Sequence, residues 1–152
     1  MLDVIPGPEQ ERLVQALAGS WTATERQLPP LSPEPTTRSG FSHNRPAMGG
    51  LYLITDYAQH SQDGHMTFEG HGIYGWDAAV QRYTMQWFDS HSPTGGGVVL
   101  GQWLDATLRF EKPGRARYEY EALNADTYLF RVLVCSEDQW HVAMEGTYLR
   151  VG

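Results

Sequence analysis

The chain has one cysteine, Cys135, so no internal disulfide can form and a reducing, cytoplasmic setting is expected. Positive charge is scarce. Eleven Lys and Arg stand against 18 Asp and Glu, a formal charge of -7, and there is no basic run. That balance repels phosphate backbones and anionic headgroups, which argues against nucleic acid and membrane-surface partners. No apolar stretch approaches the roughly 18 residues of a spanning helix. Nor do the first residues carry the basic and apolar regions of a signal peptide. The six histidines are scattered, and Cys135 has no CxxC partner, so no structural metal is expected. There is no Gly-x-Ser-x-Gly elbow, and Gly95-Gly96-Gly97 lacks the lysine and helix of a phosphate loop. These patterns require no cofactor.

What is present suits a single domain, residues 1–152. Pro8 to Ala18 has helix-start chemistry, with proline and acids early and Leu13, Val14 and Leu17 on one stripe before Gly19. From Ser20 onward the spacing is that of short strands rich in Tyr, Trp, Val, Thr and Phe. About ten are predicted: 21–27, 37–43, 51–57, 66–76, 83–89, 97–104, 107–111, 116–123, 127–136 and 139–150. Hairpin-length turns at Gln62-Asp63-Gly64, Lys112-Pro113-Gly114, Asn124-Ala125-Asp126 and Glu137-Asp138 imply an up-and-down order. Two longer connections, Leu28 to Pro35 with four prolines and Ser90 to Gly96 with Pro93, could rim a barrel mouth or serve as solvent-facing linkers.

A closed barrel pairs its first and last strands, bringing Gly19-Ser20-Trp21 beside Tyr148-Leu149-Arg150. Arg150 would then lie over the Trp21 indole as a closure pair. If both point inward, period two puts Trp140, Val142, Met144 and Tyr148 inside, with His141 and Glu145 outside. A haem reading would need an inward histidine near the C-terminus; the outward parity of His141 argues against that here. Tyr118 and Tyr120 alternate with charged residues and are expected inside, as are Tyr83, Met85, Trp87 and Asp89. On the fourth strand two faces compete: Met66, Phe68, Tyr74 and Trp76 against His65, Thr67, Glu69 and His71.

Ala18-Gly19-Ser20-Trp21, Met48-Gly49-Gly50 leading into Leu51-Tyr52-Leu53, Gly75-Trp76-Asp77, Trp87-Phe88-Asp89 and Thr147-Tyr148-Leu149-Arg150 follow one another in an order that resembles a lipocalin-like, calycin-type family, domain of unknown function 1579. The resemblance covers about residues 12 to 150. It implies a closed antiparallel β-barrel with an interior cavity, and it brings no shared activity. Gly75-Trp76-Asp77 departs from the family's commoner Gly-Tyr-Asp, keeping the aromatic body and losing the phenol.

Three functions remain open. The first is binding of a small, mostly apolar molecule by Tyr83, Met85, Trp87, Tyr118, Tyr120, Trp140, Val142 and Met144, the alternative being that these side chains only fill the core. The second is a cofactor-independent isomerase, cyclase or hydrolase. Its candidates are His43 and Arg45, a base and an anion grip, and Asp89 with His91, a carboxylate orienting an imidazole. Turn and capping hydrogen bonds would explain the same residues. The third is a homodimer through the outer faces of the fourth and fifth strands, with Ile73 and Phe88 exposed. A roomy interior favours the first, a convergent acid and base at the mouth the second. Glu69 and His71 share a strand face, a spacing that a solvated exterior produces by chance.

Overall fold

The computed structural model describes residues 4–92 and 94–152. Helix α1 (Pro8–Leu17) starts on a proline, carries Glu9 and Glu11 in its first turn, and buries Leu13 and Leu17. Ten strands follow: β1 (Gly19–Gln27), β2 (Thr36–Ala47), β3 (Tyr52–His60), β4 (Met66–Asp77), β5 (Arg82–Asp89), β6 (Val98–Leu104), β7 (Thr107–Lys112), β8 (Ala116–Asn124), β9 (Thr127–Ser136) and β10 (Gln139–Val151). Each pairs antiparallel with its sequence neighbours, and β1 also pairs with β10, so the sheet closes without an edge. Strand order and number agree with the sequence pattern. A short 3₁₀ turn, Met48–Gly50, joins β2 to β3; Gly49 and Gly50 sit there at φ 69° and 99°, where a side chain would be strained.

Closure is tight. Trp21 and Arg150 are register partners, and the guanidinium carbon lies 4.3 Å from the centre of the indole. Trp21 Nε1 donates to the Leu17 carbonyl at 2.9 Å, tying β1 to the end of α1. Arg150 Nη1 donates to the Ala18 carbonyl at 2.5 Å and Nη2 to the Ala125 carbonyl at 2.9 Å. Gly19, at φ 117°, leaves the space that Arg150 fills.

The two barrel ends differ. At one end α1 packs near β2, β3 and β4, and Tyr83 reaches it by donating to the Glu9 carbonyl at 2.7 Å. The other end carries connections 28–35, 61–65 and 90–97, so both long loops named above rim the end that α1 leaves uncovered. Pro93, in the second, lies outside the described residues. On β4 it is Phe68, Tyr74 and Trp76 that face inward: Phe68 stands opposite buried Gln59 and Tyr74 opposite buried Leu53. His71 faces outward, its Nδ1 2.8 Å from Asp56 Oδ1, and Glu69 shares that face.

The last strand corrects the parity reading. Its register against β9 shifts by one residue between Val142 and Met144, with Ala143 inserted. Met144, Gly146 and Tyr148 keep the inward phase of Arg150, but Val142 joins the outer row Glu111, Arg117 and Leu133. Trp140 therefore lies outside, its ring 3.9 Å from the Arg117 guanidinium carbon, which in turn pairs with Glu111 at 2.6 Å. His141 falls on the inward row with Val134, Ala116 and Lys112, exposed at the rim, so strand phase does not argue against an iron ligand there.

Candidate functional site

The interior divides along the barrel axis. On the side of α1, Tyr74, Phe110, Tyr120, Tyr128, Phe130 and Tyr148 form one aromatic core; Tyr128 stacks on Tyr148 at 4.9 Å and 6°, and Trp21 meets Tyr128 edge-on at 4.6 Å. Tyr74 and Tyr120 join their hydroxyls at 2.7 Å, and burial pushes the Tyr74 phenol up to about 12. Toward the open end the filling is looser. Tyr57, Phe68, Trp87, Tyr118 and Val132 point inward yet keep part of their surface accessible, unlike the closed aromatic core on the side of α1. Trp87 lies flat on β4 because Gly70 and Gly72 present no side chain beneath it, and its Nε1 donates to Asp89 Oδ2 at 2.9 Å.

At the boundary between the halves sits an acid. Glu25 is fully buried; Oε1 accepts from the Tyr57 hydroxyl at 2.5 Å and Oε2 from the Tyr148 hydroxyl at 2.5 Å. Gln59 Nε2 reaches Tyr57 Oη at 3.2 Å and Glu25 Oε1 at 3.5 Å. The carboxyl occupies ground that a Cβ on Gly40 would take, and Gly146 on the other flanking strand clears its stem. Burial holds the Glu25 carboxyl above the usual carboxylate range, against the lowering effect of the Tyr148, Tyr57 and Gln59 hydrogen bonds. Their own burial first, and then the Glu25 charge, raise Tyr57 and Tyr148, so both phenols remain donors. From Gln59 Oε1 the polar chain continues to Gln27 Nε2 at 3.4 Å and the Thr67 hydroxyl at 3.2 Å, toward the mouth. Nothing in the sequence reading singled out Glu25, Tyr57 or Gln59. The signal was there: two-residue steps from Trp21 through Ala23 land on Glu25.

Of the eight residues expected to line a cavity, Trp87, Tyr118, Tyr120 and Met144 face the interior around this network. Tyr83 and Met85 are buried in the core, Tyr83 beneath α1, while Trp140 and Val142 are outside. The four candidate catalytic residues do not converge. His43 and Arg45 lie on the outer face of β2, His43 Nδ1 bonded to the Ser20 hydroxyl at 2.8 Å. Asp89 and His91 are at the opposite end. Asp89 Oδ1 caps the turn by accepting from the backbone of His91 at 2.8 Å and Ser92 at 2.7 Å, and the His91 ring meets Phe68 edge-on at 5.2 Å. Among the described residues no cluster of His, Cys, Asp and Glu could hold a metal. Two concavities lie away from this network. One, of about 690 Å³, lies over β1, β2 and β10, and the other, of about 330 Å³, beside α1, where Arg12 covers Trp103 at 4.0 Å.

A family profile described as "Protein of unknown function (DUF1579)" matches residues 6–150. No curated protein sequence matches. Among solved structures, the chain resembles Rv2717c from M. tuberculosis at TM-score 0.70 and 10% identity, over 96% of this chain and 99% of that one. It also resembles the S-type phycobiliprotein lyase CPES from Guillardia theta at TM-score 0.54 and 8% identity, over 93% and 92%. Both likenesses carry the lipocalin-like barrel and no activity.

Proposed function

Because the chain belongs to the DUF1579 family, whose name brings no activity, we propose from the interior alone that it binds a small, mostly apolar molecule entering at the open end. The supporting observation is the accessible surface left on inward-pointing Tyr57, Phe68, Trp87, Tyr118 and Val132 above a polar floor of Glu25, Tyr57 and Gln59. An aromatic wall with a few fixed polar groups is the common form of a small-molecule site. Trp87, Tyr118 and Met144 supply the apolar contact, with Tyr120 packed in the core behind them, and the Gln59 chain supplies orientation. The single cysteine fits a reducing cytoplasm as the setting.

Native mass spectrometry of freshly purified protein, followed by titration with the neutral probe N-phenyl-1-naphthylamine, tests this. One bound molecule is expected, and Val132→Trp, which fills the open half, is expected to abolish probe binding in a protein that still melts cooperatively. Undiminished binding by that variant, or no binding of any apolar compound by the native protein, overturns the reading. A second reading, a homodimer through the outer faces of β4 to β6, is favoured by Phe88, Val98 and Leu100, which are 38%, 55% and 42% exposed. Ile73, also named for that surface, is half-buried. Sedimentation at micromolar concentration should then exceed 17.1 kDa, and a monomer at all concentrations removes the idea.

A further inference from the structure

The outer-face arginines of β7 to β9 are matched to acids: Arg109 with Glu119 at 2.7 Å, Arg117 with Glu111 at 2.6 Å, Arg131 with Glu121 at 3.5 Å. Arg38 is different. It shares the face of buried Glu25, its register partner on β1, and it stands one inward step nearer the mouth than Gly40. Its Nε is buried and has no hydrogen-bond partner, Nη1 gives only a 3.4 Å bond to the adjacent Thr37 carbonyl, and it forms no ion pair among the described residues. Its neighbour in register does not neutralise it, because the Glu25 carboxyl is turned over Gly40 and saturated by Tyr57, Tyr148 and Gln59. The inward acid at the rim, Asp89, is likewise spent on Trp87, His91 and Ser92. Across the barrel a second inward cation, Lys112, stands 5.7 Å from the Tyr118 ring with no ion pair among the described residues. A buried guanidinium N–H without an acceptor is a costly feature in a folded protein, and a planar oxyanion that accepts from Nε and Nη together satisfies it.

Resting on interior binding as proposed above, we infer that the ligand carries a carboxylate, held at the mouth by Arg38, with its apolar body directed inward against Trp87 and Tyr118. The polarity of the site fixes this orientation: an anion placed deep would meet Glu25, whereas one at the rim meets Arg38 and Lys112.

The test compares 1-naphthylacetate with its neutral isostere 1-naphthylacetamide by calorimetric titration of the full chain. The acid should bind about tenfold or more tightly than the amide, the margin of a charge-assisted pair. Added salt should shrink that ratio, Arg38→Gln should bring it near one, and Arg38→Lys should restore part of it. Equal binding of acid and amide by the native protein overturns the carboxylate inference while leaving interior binding intact. Binding of neither compound, nor of N-phenyl-1-naphthylamine, overturns both. An acid preference that survives Arg38→Gln in a folded variant assigns the anion elsewhere and also overturns it.

Discussion

Trp21 touches three elements at once: the end of α1 through its indole N–H, β9 through Tyr128, and β10 through Arg150. Trp21→Ala should cost about 3 to 5 kcal/mol in urea denaturation, as large-to-small changes in packed cores do. Arg150→Ala should also destabilise, and the double variant should lose less than the sum, by about 0.5 to 2 kcal/mol of coupling. Strict additivity would mean that the stack contributes nothing. Glu25 makes a prediction of a different kind. Its folded pKa lies above the ordinary carboxyl value of 4.5, so ionisation takes nothing from stability while the carboxyl is protonated in both states. As pH rises the unfolded chain ionises first, and stability falls by up to about 1.4 kcal/mol per pH unit until the folded group ionises too. Glu25→Gln keeps the size and removes that fall. The wild-type minus variant difference in urea melts should therefore decline from acid to neutral pH; a flat difference would show that Glu25 ionises alike in both states.

Among the elements, β4 and β5 are fitted to each other by what β4 omits. Trp87 rests where side chains at positions 70 and 72 would be. Gly70→Ala should push the indole off the strand, break its bond to Asp89 and cost about 1 to 3 kcal/mol, read as a shifted tryptophan emission together with a lowered melting midpoint. Unchanged emission would mean that Trp87 is not seated on β4. Most strands were legible because aromatic and β-branched residues alternate with polar ones, as at Arg117, Tyr118, Glu119 and Tyr120. The Ala143 bulge was not legible: an inserted alanine looks like any other strand residue, and one unmarked insertion reverses everything before it, which is how Trp140 came to be placed inside. Glu25 was missed for the opposite reason. An acid in mid-strand reads as solvent-facing, and only the two tyrosines and the glycines on neighbouring strands, far apart in sequence, make its burial tolerable.

For the molecule as a whole, the arrangement that matters is the order β1-β10-β9, in which the first strand waits for the last. On the ribosome, β2 reaches β1 soon after both emerge, but the other edge of β1 stays unpaired until Gln139–Val151 has left the exit tunnel. Until β10 emerges the nascent chain carries an open row of N–H and C=O groups, with Trp21 lacking its arginine lid. Stalled chains ending before Gln139 should bind chaperone and be cut readily by protease, whereas chains with all of β10 outside the tunnel should resist. Early resistance would show that β1 does not depend on β10 for its protection. Closure by the final strand thus makes the emergence of β10 the folding checkpoint of this barrel, and damage to its thirteen residues would be felt as loss of the whole barrel rather than of one edge.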